Sequence, residues 1–350
     1  MKRLSSLLLL FVLLGAGCVN FGAKTQSPDG GIFKTTDAGT TWTQPVVVPT
    51  AQGTGTLATS DILAMELDPS DPFFLYAGTR GNGMVYTEDG TVSWRLPRLA
   101  SLRDGTIQDV EVNPSKSCEV YVAKGPRLFK STDCMRTFDD ETYVETRAEI
   151  SISQVAIDWY NKGVVWIGLS NGDVLKSADD GNSWKTVLKM GGEISSILLS
   201  NKDSRQVIVS SVKKGMQRTI DSGDNWEKLD SQLKGMSGAN QVFALTQTDD
   251  GGLILAATKY GLLRSTDTGA SWESLNLLTS PGQVVIYTVA VAPNDPNTIY
   301  YATPGTFYRT SDGGQTWQTQ KFPSTRVPRV LLVDPQDTSV LYVGVAAPVE

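Results

Sequence analysis

The chain is predicted to be all-β: a seven-bladed β-propeller of four-stranded antiparallel blades, the last blade closed by N- and C-terminal strands. Three observations carry that reading. The pattern [S/T]-x-Asp-x-x-x-[S/T/N]-[Trp/Phe] occurs seven times, and successive copies lie 42 to 52 residues apart. Each copy follows short runs rich in Val, Ile, Tyr and Thr, and no helical period persists over three turns. A period of that length marks one supersecondary unit repeated, and four short strands per repeat is the unit of a propeller.

The first element is a leader. MKRLSSLLLLFVLLGAGC opens with Lys2 and Arg3, runs through apolar residues from Leu7 to Leu14 and ends on small residues. This is the layout of a secretory signal, too short for a comfortable spanning helix. Gly15-Ala16-Gly17-Cys18 resembles a bacterial lipobox, with Gly15 where Leu is usual. Residues 1–18 are therefore expected to be a lipoprotein-type signal peptide with lipidation at Cys18, residues 19–29 a tether, and residues 30–350 the propeller. The expected location is exported, anchored to the outer face of a bacterial membrane at the cell surface or in the periplasm.

The repeat is clearest from Tyr287 to Gln320: YTVAVAP, NDPNT, IYYAT, PG, TFYRTS, DGGQ, TWQTQ. Val, Ile, Tyr and Thr suit a pleated, half-buried surface, and Asn, Asp, Pro and Gly punctuate it with turns. Complete units start near Ile62, Ile107, Gln154, Glu193, Gln241 and Ile286. The seventh is split. Residues 329–345 supply two inner strands with no box after them, and residues 30–44 supply a box with no inner strands before it. Joined, they close the ring and remove two open edges. Residues 43–60 form the largest insertion and are a candidate cover for the basic face described below.

The repeated residues read as scaffold. Asp37, Asp89, Asp133, Asp179, Asp221, Asp267 and Asp312 sit where a carboxylate accepts turn amides between the third and fourth strands. The box Trp or Phe is suited to fill the gap between blades. The basic residues three positions earlier, Lys34, Lys130, Lys176, Arg218, Arg264 and Arg309, read as packing of long stems rather than as an anion site. Cys118 and Cys134 fall opposite each other across a hairpin turning near Gly125 and Pro126, so an exported chain is expected to bridge them.

Departures from the repeat carry the functional candidates. Turns joining strands one to two, together with the box turns, are rich in Asp. Turns joining strands two to three reverse the sign, with Arg80, Lys124, Arg127, Lys213, Lys214 and Lys259 against Asp173. A chain of formal net charge −6 thus acquires one basic face, suited to steering an anionic partner. Trp159 and Tyr160 form an aromatic pair in a strand one to two turn. Alternation in LAMELDP and QDVEVNP turns Glu66, Asp109 and Glu111 toward the central channel, with Gln154, Gln241 and Thr288 at positions roughly like that of Asp109. The chain has 0 His, which excludes His-based triads, His general bases and His-ligated metals. No phosphate loop, nucleic-acid motif or full calcium loop is present, so neither cofactor nor metal nor nucleic acid is expected.

The box resembles the Asp-box, or BNR, repeat, and the resemblance covers essentially the whole expected mature chain. Families sharing it include sialidases, xyloglucan-active endoglucanases, sortilin-type receptors and the photosystem II stability/assembly factor family. Seven blades behind a lipoprotein signal are most similar to the last. The repeat is specific for fold and nearly silent about function. The resemblance implies a membrane-tethered extracytoplasmic scaffold or assembly factor that binds other exported or membrane proteins, and the basic face suits acidic surfaces on the partner. Assembly factors of this kind are thought to use an arginine-rich patch, which has no residue-by-residue match here. The alternative is a carbohydrate-binding or glycoside hydrolase-like propeller using Glu66, Asp109 and Glu111. That alternative lacks an Arg-Ile-Pro motif before the first box, an assignable arginine triad and the second propeller of a xyloglucan-type enzyme. Binding is favoured over catalysis.

Overall fold

Each box is held together by its own aspartate. In the last copy Asp312 Oδ1 accepts the Thr310 hydroxyl (2.6 Å) and the Thr316 amide (2.9 Å), and Oδ2 accepts the Thr316 hydroxyl (2.6 Å). The Gly314 amide donates back to Thr310 Oγ1 at 3.1 Å. The turn needs two successive residues in the left-handed region, here Gly313 (φ 70°) and Gly314 (φ 89°). Glycine at the second position is also steric: a Cβ on Gly269 would lie 2.3 Å from Ile208 Cδ1 of the preceding blade. The second and third boxes depart from this rule, with Thr91 (φ 79°) and Met135 in that place. Met135 holds φ 70° and its side chain is fully buried among the neighbouring blades' apolar residues, which offsets the strain.

The computed structural model describes residues 28–139 and 141–348. The predicted signal peptide, Cys18 and the tether up to residue 27 lie outside the described residues. Blade one comprises Ile62–Asp68, Asp71–Thr79 and Met84–Thr87, and blade six comprises Val289–Ala292, Asp295–Thr303, Thr306–Thr310 and Gln318–Lys321. Five sheets have four antiparallel strands. In blades one and seven the fourth strand shortens to a single bridge, Tyr86 with Arg95 and Lys34 with Thr43. Only two short 3-10 turns interrupt the strands among the described residues, Ala100–Leu102 and Asp230–Leu233.

Ring closure follows the split repeat. Gly31–Thr35 pairs antiparallel with Leu341–Ala346, Gly31 opposite Val345 and Thr35 opposite Leu341, and Leu341–Ala346 pairs with the inner strand Val327–Val333. The core is divided among the seams between neighbouring blades. Each seam takes one box aromatic, from Phe138 between blades one and two and Trp94 between seven and one to Trp317 between five and six. Trp94 is fully buried, and truncating a side chain of that size costs about 3–5 kcal/mol. The insertion forms a hairpin, Val47–Thr50 with Gly53–Thr56. Its Val48 packs with Leu57 and Trp94 in the seam between blades seven and one, so the hairpin is anchored in that seam.

Candidate functional site

Three surfaces compete for function: the strand two to three turns, the channel, and the face carrying the boxes. The predicted basic residues do occupy the first surface, yet half of them are neutralised by neighbours. Arg80 pairs with Asp61 at 3.3 Å, Lys124 with Asp104 at 2.7 Å, and Arg127 with Glu141. Arg147 similarly joins Glu145 (2.8 Å) and Asp173 (2.6 Å), and these hydrogen bonds hold the Glu145 carboxyl down at about 2. The remaining predicted cations, Lys213, Lys214 and Lys259, together with Lys234, are exposed. None of them appears in an ion pair among the described residues. They cluster at blades four and five. There Lys213 and Lys214 border a depression of about 410 Å³ whose floor includes Leu233 and Met236, with Asp230 as its only acid. The face is therefore basic over one sector, not over its whole circumference.

Inner strands surround a central cavity of about 660 Å³. Met65, Leu67, Val110 and Val112 are buried in the blades, and the intervening Glu66, Asp109 and Glu111 line the cavity. Asp109 Oδ2 accepts the Val155 amide of the next blade at 2.7 Å. Burial raises Glu66 to about 8, with Asp109 adding repulsion. Burial likewise raises Asp109 to about 7 and pushes Glu111 well up, with Glu66 and Asp109 contributing. Gln154 does sit like Asp109: it faces Gly168 as Asp109 faces Ala123. Gln241 does not. It precedes the bulge between Val242 and Ala244, whereas Gln154 follows the matching bulge after Ile152, and Ala244 takes the equivalent place opposite Ala257.

The two mouths of the cavity differ. At the box face stands Trp159, its indole N–H donating to Ser200 O at 3.1 Å, with Tyr160 beside it (ring centroids 5.7 Å apart). At the other mouth Phe243 and Tyr287 pack at 4.7 Å, and the Arg329 guanidinium lies over Tyr287 at 5.1 Å. Sequence reasoning did not single out this second group. The available signal was Arg329 itself, a charge within the otherwise apolar inner strand VPRVLLV. Cys118 and Cys134 are joined as a disulfide, Cα atoms 4.2 Å apart.

A family model described as photosynthesis system II assembly factor YCF48 matches residues 14–210 and 199–327. Among solved structures, YCF48 bound to a D1 peptide is similar over 82% of this chain and 94% of that one, at 17% identity and TM-score 0.61. YCF48 from Cyanidioschyzon merolae is similar over 81% and 95%, at 16% identity and TM-score 0.62. The GH74 xyloglucanase from Xanthomonas campestris reaches TM-score 0.67 at 16% identity, over 82% of this chain but only 51% of the enzyme. A curated xyloglucanase from Hypocrea jecorina (strain QM6a) is 28% identical over 113 residues, which is 32% of this chain and 13% of that protein. These structural likenesses establish the propeller fold, and the chain spans about half or less of either xyloglucanase.

Proposed function

Because the chain belongs to the photosynthesis system II assembly factor YCF48 family, we propose that it is a membrane-tethered, extracytoplasmic propeller that binds a segment of another protein during assembly. The observation that carries this reading is the sector of exposed lysines without ion-pair partners, Lys213, Lys214 and Lys259, beside an apolar-floored depression. A partner segment that fits it carries acidic side chains for the ammoniums and an apolar residue for Leu233 and Met236. Arg80, Lys124 and Arg127, already paired, contribute little attraction of their own. A YCF48 structure with a bound D1 peptide supports peptide binding as the mode. The test is a synthetic array of acidic peptides probed with the wild type and with Lys213→Ala/Lys214→Ala/Lys259→Ala. At least a tenfold loss of binding is expected, and equal binding by the variant removes the reading.

The glycosidase alternative meets a physical obstacle in the channel. Such enzymes keep one carboxyl protonated and a neighbour ionised by giving the two different environments. Here burial raises Glu66, Asp109 and Glu111 together, so none of them is firmly ionised at neutral pH. Chromogenic glycosides incubated with the wild type and with Glu66→Gln/Asp109→Asn decide the matter; turnover abolished in the variant would reinstate catalysis.

A further inference from the structure

We propose that the face carrying the strand two to three turns is turned toward the membrane that holds the N-terminus, so that its free lysines meet partners rooted in the same bilayer. This rests on the tether in the function proposed above and adds an orientation to it. In the complete blades a turn joins the end of the second strand to the start of the third, as between Thr303 and Thr306 or Ser211 and Gly215. Blade seven has no such turn. Its second strand ends at Ala346 and its third begins at Gly31, so the chain preceding Gly30 departs where that turn would stand.

The departure point is pinned. Asp29 Oδ1 accepts Arg326 Nε (3.1 Å), its Oδ2 accepts the Thr325 hydroxyl (2.8 Å), and its carbonyl accepts the Ser324 hydroxyl (2.6 Å). The same Arg326 donates to Asp61 Oδ1 (2.7 Å) and Thr59 O (3.2 Å) of the connection into blade one. Asp61 in turn accepts the Ala347 amide at 2.7 Å, just past the last strand. One guanidinium thus ties the start of the propeller to blades seven and one.

Residues 19–28 can span at most about 35 Å, even fully extended. A domain of this size has a radius of gyration near 20 Å, so presenting the box face would require the link to pass around the rim, consuming its whole reach. Charge acts in the same sense. Wherever the leaflet that holds the tether carries anionic headgroups, Lys213, Lys214, Lys234 and Lys259 are attracted to it and the aspartates of the opposite turns are repelled. The partner class that follows is an acidic, membrane-proximal segment of an integral membrane protein.

The test couples the chain starting at Cys18, through that thiol, to a maleimide lipid in phosphatidylcholine/phosphatidylglycerol vesicles. The disulfide leaves Cys118 and Cys134 unreactive. A fluorophore is placed at Ser237, beside the lysine depression, or at Gln315, in the last box, and quenching by spin-labelled headgroups is measured. At least threefold stronger quenching at Ser237 is expected, and equal or stronger quenching at Gln315 overturns the orientation. The mass of the N-terminal peptide from native membranes reports separately on the tether: an unacylated peptide defeats that reading while the quenching pattern still judges the geometry.

Discussion

Lys176 of blade three crosses the Trp166 ring, 4.8 Å from its centroid, and donates its ammonium to the carbonyl of Ser222 in the box of blade four at 2.9 Å. The relationship recurs around the ring. Lys34 reaches Gly90 O (2.9 Å), Lys130 reaches Asp180 Oδ1 (3.4 Å), Arg218 reaches Thr268 Oγ1 (3.1 Å) and Arg264 reaches Gly313 O (3.3 Å). Every acceptor belongs to the residue after the box aspartate in the following blade. Five of the six recurring basic residues are therefore latches between blades with their heads on the neighbouring box, and Lys34, Lys130 and Lys176 also lie over aromatic rings.

Replacing Lys176 with Met keeps the stem and removes the charge. Losing a charge-assisted hydrogen bond and a cation–π contact should cost about 1–3 kcal/mol, read as a lower urea midpoint with unchanged slope. Arg309 lies over Tyr300 at 6.0 Å, but its Nε has no partner and no hydrogen bond joins it to the next box. Arg309→Met should therefore move the midpoint less. Equal shifts for the two variants would reduce the latch to stem packing.

The fold was legible because the box is a local device: Thr310, Asp312 and Thr316 satisfy one another within seven residues, and repetition exposes the need. The split seventh unit was legible for the same reason. Pairing of the cations was not. Asp61, Asp104 and Glu141 lie in irregular connections whose reach toward Arg80, Lys124 and Arg127 no period encodes. The latch was half legible: recurrence marked the basic residues as structural, but their acceptors lie about one repeat away and become visible only when the blades are stacked. Gln241 was misplaced because it precedes the bulge between Val242 and Ala244, whereas Gln154 follows the matching bulge between Ile152 and Gln154, and neither bulge leaves a compositional mark.

Acid should loosen the boxes. Asp37, Asp221 and Asp312 are held at about 2, below their ordinary 3.8, by the Thr41 amide, the Asn225 side chain and the Thr310 hydroxyl respectively, with further hydrogen bonds in each turn. Carboxyls depressed by folding stabilise above their unfolded value and lose that contribution as pH falls through the folded one. Denaturation midpoints should decline steeply from pH 4 toward pH 2. Asp312→Asn should be less stable at pH 7 and show a shallower acid limb, and an unchanged limb would contradict the assignment.

The channel carboxyls act in the opposite sense. Glu66 is raised from 4.5 to about 8 and Asp109 from 3.8 to about 7, burial being the main cause. The folded state therefore binds more protons than the unfolded one between about pH 4 and 8, and stability should fall as pH rises through that window. The wild type is expected to melt higher at pH 5 than at pH 8, and Glu66→Gln/Asp109→Asn should narrow the gap. A gap that persists in the variant would place its origin elsewhere.

The seam between blades one and two lacks a latch, because Tyr86 stands where other blades carry Lys or Arg. Two devices take its place. Asp68 Oδ2 accepts the Ser117 hydroxyl (2.7 Å) and the Cys118 amide (3.0 Å) across the seam, and the disulfide ties Cys118 to Cys134 in the box of blade two. Cutting the bridge frees the turn that supplies both donors to Asp68. A bridge of sequence separation 16 restricts the unfolded chain by about 3 kcal/mol, so reduction should lower the thermal midpoint and speed amide exchange from Ser117 to Val120 before other blades respond. Cys118→Ser/Cys134→Ser should reproduce the shift and become insensitive to reductant. Iodoacetamide should label Cys118 and Cys134 only after reduction and unfolding, and labelling that does not depend on reductant would rule the bridge out.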